Sequence, residues 1–257
     1  LGLMLTELRL PTIKRIARDL CAQSDSEGWP GKRLLEALFE LEMNEREVRR
    51  IERHRSESAL SPDKRLSSFE FSAVPSVSKA QVMALSTGHE WLQRGANVLL
   101  FGPPGVGKTH LICGLGHALI DAGRRVLFMR CSELVQRLQT ARRDLRLGAE
   151  LAKLDRFDLL ILDDLSYVRR DQSETSVLFE LIAERYERKS IAITANTPFS
   201  QWGEVFVDAA MTVAAVDRLV HHSTILEMNV ESYRRRVAQA AQSPAKRAKA
   251  ATTTTTP

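Results

Sequence analysis

Residues 102–109 read Gly102-Pro103-Pro104-Gly105-Val106-Gly107-Lys108-Thr109, a glycine-rich segment between an apolar run at 97–101 and a helical pattern at 110–121. The spacing fits G-x-x-x-x-G-K-[ST], in which successive backbone N–H groups surround a phosphate. A helix that begins directly after the loop adds positive potential at its N-terminus. The segment therefore predicts a phosphate site in which the Lys108 ammonium reaches the β- and γ-phosphates and the Thr109 hydroxyl binds Mg²⁺.

A second apolar run ends in two acids. Residues 157–164 read FDLLILDD, and such a strand, together with a phosphate loop, is typical of a Walker B element. Asp163 would hold Mg²⁺ through water, and Asp164 would polarise the water that attacks the γ-phosphate. The alternative is that the two acids form only an N-cap for a following helix.

Two later polar residues extend this set. Asn196 follows the apolar run 191–194 and could orient the attacking water, although asparagine also suits an Asx turn at this place. Arg218 follows the apolar stretch 209–216 and could act in trans on the γ-phosphate of a neighbouring subunit. The alternative for Arg218 is a surface ion pair with Asp217, which spacing alone favours.

The pattern along the chain predicts an α/β fold. Short apolar strands alternate with helical segments, which indicates a parallel sheet covered by helices. We place the strands at 97–101, 125–130, 159–163 and 191–194. The predicted organisation is a helical N-terminal domain at 1–58, a linker at 59–80 that docks Phe69 and Phe71 on the next domain, a nucleotide-binding domain at 81–242 and a disordered tail at 243–257.

Composition narrows the function classes. The chain has 257 residues, 44% of them hydrophobic, which excludes a collagenous or wholly disordered protein, and it has no apolar run long enough to cross a bilayer. Cys21, Cys113 and Cys131 are far apart, so we expect no disulfide framework and a reducing cytoplasm. His221 and His222 are adjacent rather than at helical ligand spacing, so we expect no metal role for them.

Net charge alone does not predict nucleic-acid binding. The formal charge is +5, and residues 243–257 contribute three basic and no acidic residues to it. Binding to DNA would instead depend on local arginine clusters.

The motifs together are much more specific than any one of them. The series GPPGVGKTH, FDLLILDDL, ITANTPFSQW, VDRLVHHS and ESYR resembles the IstB-like ATPases of bacterial insertion sequences, which are related to the DnaC-type helicase loaders of the AAA+ class. The resemblance covers roughly residues 5–240 and implies an AAA+ P-loop nucleotide-binding fold with a small all-helical N-terminal domain. About 24 residues separate Arg218 from Gln242, so we expect no full lid domain.

The resemblance also implies a function and its partners. It implies a cytoplasmic, ATP- and Mg²⁺-dependent ATPase that binds duplex DNA and engages a partner transposase. The protein would form homo-oligomers through ATP sites shared between subunits. Hydrolysis would be stimulated by DNA, and no membrane would be involved.

Individual residues take roles from the same resemblance. The resemblance implies that Lys108 and Thr109 are the Walker A pair, with His110 directly after them, and that Asp163 and Asp164 are the Walker B acids. It implies that Asn196 is sensor 1 and that Arg218 is the arginine finger. Arg234 takes the sensor 2 position.

Two arginine clusters are candidates for DNA contacts. The first follows the second strand and comprises Arg137, Arg142, Arg143 and Arg146; the second lies on the charged N-terminal helix and comprises Arg49, Arg50, Arg53 and Arg55. Contacts from either set to phosphate would give sequence-independent, salt-sensitive binding. A solvated helix face is the alternative for both clusters.

Two other functions fit parts of the sequence. A DnaC-type replicative helicase loader would share the ATPase core and differ in its client, a hexameric helicase. A P-loop small-molecule kinase would need a substrate pocket, whereas the Asn196 and Arg218 positions suit attack by water. The identity of the co-purifying protein separates the first two functions, and a phosphorylated small molecule would indicate the third.

Overall fold

The computed structural model describes residues 1–88, 90–165, 172–197, 202 and 208–233. The backbone divides into two compact units, residues 1–56 and 57–257. All three cysteines are free. In the described ranges, no helix is long and apolar enough to cross a membrane.

The N-terminal unit is helical. It contains α1 (Gly2–Glu7), α2 (Pro11–Glu27) and α3 (Gly31–Glu57). Proline suits the first position of α2 because the N–H that it lacks would have no acceptor within the helix there, and a left-handed Gly28 (φ 64°) ends that helix. Leu5, Ile13, Ala17 and Leu38 form its small buried core.

A buried carboxylate caps α2. Glu42 Oε2 on α3 accepts hydrogen bonds from the N–H groups of Thr12 (2.8 Å) and Ile13 (3.0 Å). Burial raises the pKa of Glu42, but these hydrogen bonds and the Arg46 guanidinium outweigh burial, so its pKa lies below the ordinary value. Glu42 therefore supplies the capping side chain that Leu10, at the N-cap position, lacks.

The second unit contains a five-stranded parallel sheet in the order β2-β3-β4-β1-β5. The strands are β1 (Asn97–Phe101), β2 (Val126–Arg130), β3 (Leu159–Asp163), β4 (Ser190–Ala195) and β5 (Ser223–Glu227). The helices are α4 (Lys79–Thr87), α5 (Glu90–Gln93), α6 (Lys108–Asp121), α7 (Cys131–Arg143), α8 (Leu147–Leu154), α9 (Gln172–Arg185) and α10 (Ala209–Val220). This architecture confirms the α/β prediction and adds a fifth strand, β5, to the four that were predicted.

The segment before α4 packs along α6. It contains two short 3₁₀ turns, Leu66–Ser68 and Phe71–Ala73. His117 on α6 forms a hydrogen bond of 2.9 Å with the Ser61 carbonyl, and the Phe128 N–H of β2 donates to the Ser58 carbonyl (2.8 Å). The segment from residue 58 onward, which includes the predicted linker at 59–80, thus packs against α6 and β2.

Residues on which other predictions depend lie outside the described ranges. These are the residues after Tyr233, which include Arg234, the predicted disordered tail and the stretch where a lid domain would follow.

Candidate nucleotide site

Three neighbouring strands end at one edge of the sheet. Because β3, β4 and β1 are adjacent and parallel, with Phe101 opposite Ala195, the residues that follow these strands lie close together. The loop from Pro104 to Gly107, Asp164 and Asn196 line one cavity of about 460 Å³, and Asp163 lies behind it against Thr109.

The loop follows a path that side chains would block. Gly102 has φ 151°, and a Cβ there would lie 2.5 Å from the Met228 carbonyl oxygen. Gly107 has φ 103°, and a Cβ there would lie 3.2 Å from the Phe69 ring. These glycines bring the backbone close to its neighbours directly before α6 begins at Lys108. Pro104, Gly105, Val106, Gly107, Lys108, Thr109 and His110 all line the cavity.

The Lys108 ammonium is buried at the loop. Its Nζ donates hydrogen bonds to the carbonyl oxygens of Gly102 (2.7 Å) and Pro103 (2.9 Å) and to Asn196 Oδ1 (2.7 Å). A buried ammonium needs such acceptors because burial without them is costly. A phosphate oxygen in the cavity would be a stronger acceptor than these neutral oxygens.

Asp163 is held by two hydroxyl groups. Thr109 Oγ1 lies 3.0 Å from Asp163 Oδ1 and 3.2 Å from Oδ2, and Thr194 Oγ1 donates to Oδ1 (2.6 Å). Thr194, on β4, is 1% exposed and was not predicted as a site residue. A carboxylate beside a hydroxyl offers the oxygen ligands that Mg²⁺ prefers, so the donor set fits this ion.

Asp164 has a left-handed backbone conformation, with φ 67°. Its N–H donates to Thr194 Oγ1 (3.0 Å), and its Oδ1 accepts a hydrogen bond from Asn196 Nδ2 (2.9 Å). Residues other than glycine rarely adopt this left-handed conformation, which costs about 1–3 kcal/mol of conformational free energy. These two hydrogen bonds hold Asp164 at the cavity despite that cost.

The wall of the cavity includes residues that the sequence does not predict. Phe69, Glu70, Val74 and Tyr233 line it, and the Tyr233 N–H donates to the Gly105 carbonyl (3.0 Å). An aromatic and an aliphatic side chain beside a phosphate loop suit a nucleobase.

His110 faces the segment that forms this wall. Its Nε2 lies 3.1 Å from both Ser68 Oγ and the Arg65 carbonyl. Its ring meets the Phe69 ring edge-on, with 5.5 Å between the centroids. His110 therefore positions the wall, and it also lines the cavity itself.

Arg218 does not lie at the cavity of its own chain. Asn97 Nδ2, at the start of β1, donates to the carbonyl oxygens of Leu219 (3.1 Å) and Arg218 (3.5 Å). The phosphate loop follows the other end of β1, about 16 Å away at 3.3 Å per residue. The Arg218 guanidinium lies over the Phe179 ring (5.1 Å), and its Nη1 donates to the Ala214 carbonyl (3.0 Å).

The first arginine cluster is largely paired with acids. Arg137 contacts Glu150, Arg142 contacts Glu180 (2.6 Å) and Arg146 contacts Asp144 (3.0 Å). Arg143 differs, because in the part of the chain that the structure describes it bonds only to Thr140 Oγ1 (3.1 Å). Of this cluster, Arg143 therefore has the positive charge least neutralised by neighbours.

The N-terminal arginines show a similar contrast. Arg49 lies 3.5 Å from the buried Glu42 carboxylate and 3.3 Å from Thr12 Oγ1, and Arg50 pairs with Glu47 (2.7 Å). In the part of the chain that the structure describes, the Arg53 side chain has no hydrogen-bond or ion-pair partner.

Comparison with known proteins identifies the family. The family model described as "IstB-like ATP binding protein" matches residues 3–241. The chain belongs to this family. A putative insertion sequence ATP-binding protein of Sinorhizobium fredii is 64% identical over 94% of this chain and 81% of its own length. The insertion sequence IS21 putative ATP-binding protein of Pseudomonas aeruginosa is 37% identical over 91% and 88%.

A solved structure confirms the fold. AMPPCP-bound DnaA from Aquifex aeolicus superposes with a TM-score of 0.55 at 17% identity, over 73% of this chain and 57% of that one. The predicted AAA+ fold and the resemblance to IstB-like proteins are both confirmed. As a member of the IstB-like ATP-binding family, the protein is an ATPase of the AAA+ type.

Thr194 provides a test of the polar network. We expect Thr194→Val to lower kcat for ATP hydrolysis by roughly 10- to 100-fold, because it removes hydrogen bonds to the charged Asp163 and to the Asp164 backbone. The Mg²⁺ concentration for half-maximal activity should rise, whereas the Kd for ATP should change less than about threefold.

Thr194→Ser keeps the hydroxyl and is the matched variant for this test. It should restore most of the activity. An unchanged Mg²⁺ dependence in Thr194→Val would show that Thr194 only fills space in the sheet.

Proposed function

We propose that this chain is an ATP-dependent DNA-binding protein that assembles on duplex DNA and recruits or activates a transposase during insertion-sequence transposition. One observation carries the proposal: the family match over residues 3–241, together with the insertion-sequence names of the two curated relatives described above. Transposition of such an element needs a transposase, so an accompanying ATPase acts together with one.

Different residues at the cavity bind the phosphates, the base and Mg²⁺ and orient the attacking water. The loop N–H groups and the Lys108 ammonium bind the β- and γ-phosphates, while the Phe69 and Val74 side chains pack against the base. Thr109 and Asp163 hold Mg²⁺, which neutralises charge on the phosphates when bound. Asp164 and Asn196, joined by a 2.9 Å hydrogen bond, orient and polarise the attacking water.

The energy of ATP binding is linked to assembly in this proposal. Arg218 lies at the opposite end of β1 from the phosphate loop of its own chain, so it acts on ATP held by a neighbouring copy. ATP then lies between subunits, and its binding favours a multimer on DNA.

The test uses purified protein, duplex DNA and nucleotide. We expect ATP-dependent multimers on DNA, DNA-stimulated hydrolysis, and co-purification of the transposase of the same element. Lys108→Ala should abolish assembly. A monomer whose ATPase is indifferent to DNA would contradict the proposal, and co-purification of a hexameric helicase would identify a helicase loader instead.

Arg143 and Arg53 are the proposed DNA contacts, because their charges are not neutralised by carboxylates of the described chain. We expect Arg143→Ala or Arg53→Ala to lower DNA affinity uniformly across sequences. Each should reduce the slope of log affinity against log salt by about 0.9 per lost phosphate contact. Fluorescence anisotropy at several salt concentrations measures this slope.

Neighbouring paired arginines provide the controls for these variants. Arg142→Ala and Arg50→Ala remove arginines that already bind Glu180 and Glu47, so the slope should change much less. Equal slope changes in the paired and unpaired variants would contradict the assignment.

A further inference from the structure

A cluster of potential metal ligands lies far from the nucleotide site. His221 and His222 form the turn between α10 and β5, and Glu187 lies in the turn between α9 and β4. The Asn97 N–H, at the start of β1, donates to the His222 carbonyl (3.2 Å). The cluster thus lies at the sheet edge where β1 begins, opposite the edge that holds the phosphate loop.

The distances within the cluster are slightly longer than those of a metal coordination sphere. Glu187 Oε1 lies 3.6 Å from His221 Nδ1 and 3.8 Å from His222 Nε2, and one ligand atom from each residue lies within 4.8 Å of the others. In a tetrahedral zinc site with bonds of about 2.0–2.1 Å, ligand atoms are separated by about 3.3–3.4 Å. Small side-chain rotations would close this difference.

The side chains are accessible and oriented by their turns. His221, His222 and Glu187 have side chains that are 47%, 57% and 53% exposed, so an ion reaches them from solvent. Glu187 (φ 55°) and His222 (φ 58°) have left-handed backbones, which reverse the chain at both turns. The Tyr186 hydroxyl forms a 2.7 Å hydrogen bond with His221 Nδ1, so an ion that binds this nitrogen must displace the hydrogen bond, and a water would complete the coordination.

The chemistry of the ligands selects the kind of metal. Two imidazole nitrogens and one carboxylate oxygen suit Zn²⁺ and neighbouring transition metals, whereas Mg²⁺ prefers oxygen ligands alone. The spacing of the two histidines alone predicts no metal role for them. The fold adds Glu187, which lies 34 residues upstream of His221 in the chain and beside both histidines in the structure.

We propose that Glu187, His221 and His222 form a transition-metal site of the Zn²⁺ class, separate from the Mg²⁺ of the nucleotide site. A bound ion would connect the α9–β4 turn to the C-terminal end of α10. Arg218 lies on the last turn of α10, so the ion would stabilise the helix end that carries this arginine.

The test titrates the full, untagged chain after chelator treatment, without nucleotide and in excess Mg²⁺. We expect one equivalent of Co²⁺ to give the visible absorption of a tetrahedral nitrogen- and oxygen-ligated ion, and Zn²⁺ to displace it. Zn²⁺ should raise the Tm of the chain. Binding should weaken at lower pH because ligating imidazoles must be unprotonated.

Variants separate this site from binding elsewhere. His222→Gln and Glu187→Gln should each weaken metal binding at least tenfold and abolish the Zn²⁺-dependent rise in Tm. Glu184→Gln removes an exposed carboxylate of α9 that pairs with Arg188 (3.3 Å) and should bind metal like the parent.

Two results would overturn the proposal. One is the absence of stoichiometric Co²⁺ or Zn²⁺ binding by the parent chain. The other is unchanged affinity in both His222→Gln and Glu187→Gln, which would indicate binding at cysteines or other histidines. Neither outcome depends on transposition or DNA binding.

Discussion

Lys108→Ala should lower kcat/KM for ATP hydrolysis by roughly 10²- to 10⁴-fold, because it removes about two charge-assisted hydrogen bonds to phosphate, each worth about 1.5–3 kcal/mol. The geometry supports this magnitude. Lys108 Nζ is buried within 2.7–2.9 Å of three oxygens around the loop, so a phosphate that replaces them meets a positioned and desolvated charge.

Binding and hydrolysis should both be affected. The parent chain should show a rise in Tm with ATP, since a ligand that binds only the folded state stabilises it. Lys108→Ala should show little or no such rise. Thermal-shift measurements and phosphate release at several ATP concentrations test both expectations.

A second variant separates charge from packing. Lys108→Met keeps much of the side-chain length while it removes the ammonium, so it should be as inactive as Lys108→Ala. The Tm of Lys108→Met without nucleotide should stay close to that of the parent, because the loss of hydrogen bonds is partly offset by the removal of a buried charge. A normal ATP-dependent rise in Tm in either variant would contradict the role of Lys108.

Two of the three central strands could be predicted to the residue. β1 and β3 have the predicted bounds 97–101 and 159–163 because each is a mostly apolar run, bounded by Gly102 or ending in Asp163, whereas β4 extends one residue beyond the predicted 191–194 at each end. β5 could not be predicted in the same way. It is an edge strand in which only Leu226 is buried, so its residues resemble a surface segment.

The candidate site residues could be predicted from the ends of the strands. Parallel strands carry their following residues to one sheet edge, so Lys108, Asp163 and Asn196 were predicted together, and the structure places them together. Thr194 could not be recognised because it lies inside an apolar run, where a threonine resembles an ordinary β-branched core residue. The role of its hydroxyl as a hydrogen-bond donor to Asp163 can be recognised only once β4 is known to lie beside β3.

Contacts between distant segments could be predicted only coarsely. Docking of Phe69 on the nucleotide-binding domain was expected, but its position beside the phosphate loop was not, because it depends on how the segment before α4 folds back on α6. The pairing of Arg137 with Glu150 and of Arg142 with Glu180 is likewise a tertiary result. A cluster of arginines in sequence therefore overstates the positive charge available to DNA.

Arg218→Ala should lower the rate of ATP hydrolysis by roughly 10³-fold or more, the range found for arginine fingers. The affinity of the unassembled monomer for ATP should stay nearly unchanged. The reason is geometric. The Arg218 carbonyl oxygen accepts a hydrogen bond of 3.5 Å from Asn97 Nδ2 at the start of β1, whereas the phosphate loop follows the other end of that strand, so we expect Arg218 to act on phosphate held by another copy of the chain.

Mixing two inactive variants tests action in trans. Arg218→Ala keeps an intact nucleotide site, and Asp164→Asn keeps Arg218 and should bind ATP without hydrolysing it. An equal mixture should recover about one quarter of the parent rate, because random assembly places a donated Arg218 beside an intact site at about one interface in four. Each variant alone should remain inactive.

A surface arginine of similar size is the control. Arg188 pairs with Asp155 (2.9 Å) and Glu184 (3.3 Å) on the same unit, so Arg188→Ala should retain the parent rate of hydrolysis. If the mixture of Arg218→Ala and Asp164→Asn stays inactive although both variants bind ATP and assemble, Arg218 does not act in trans. Its contact with Phe179 would then explain the loss, as a structural support for α10.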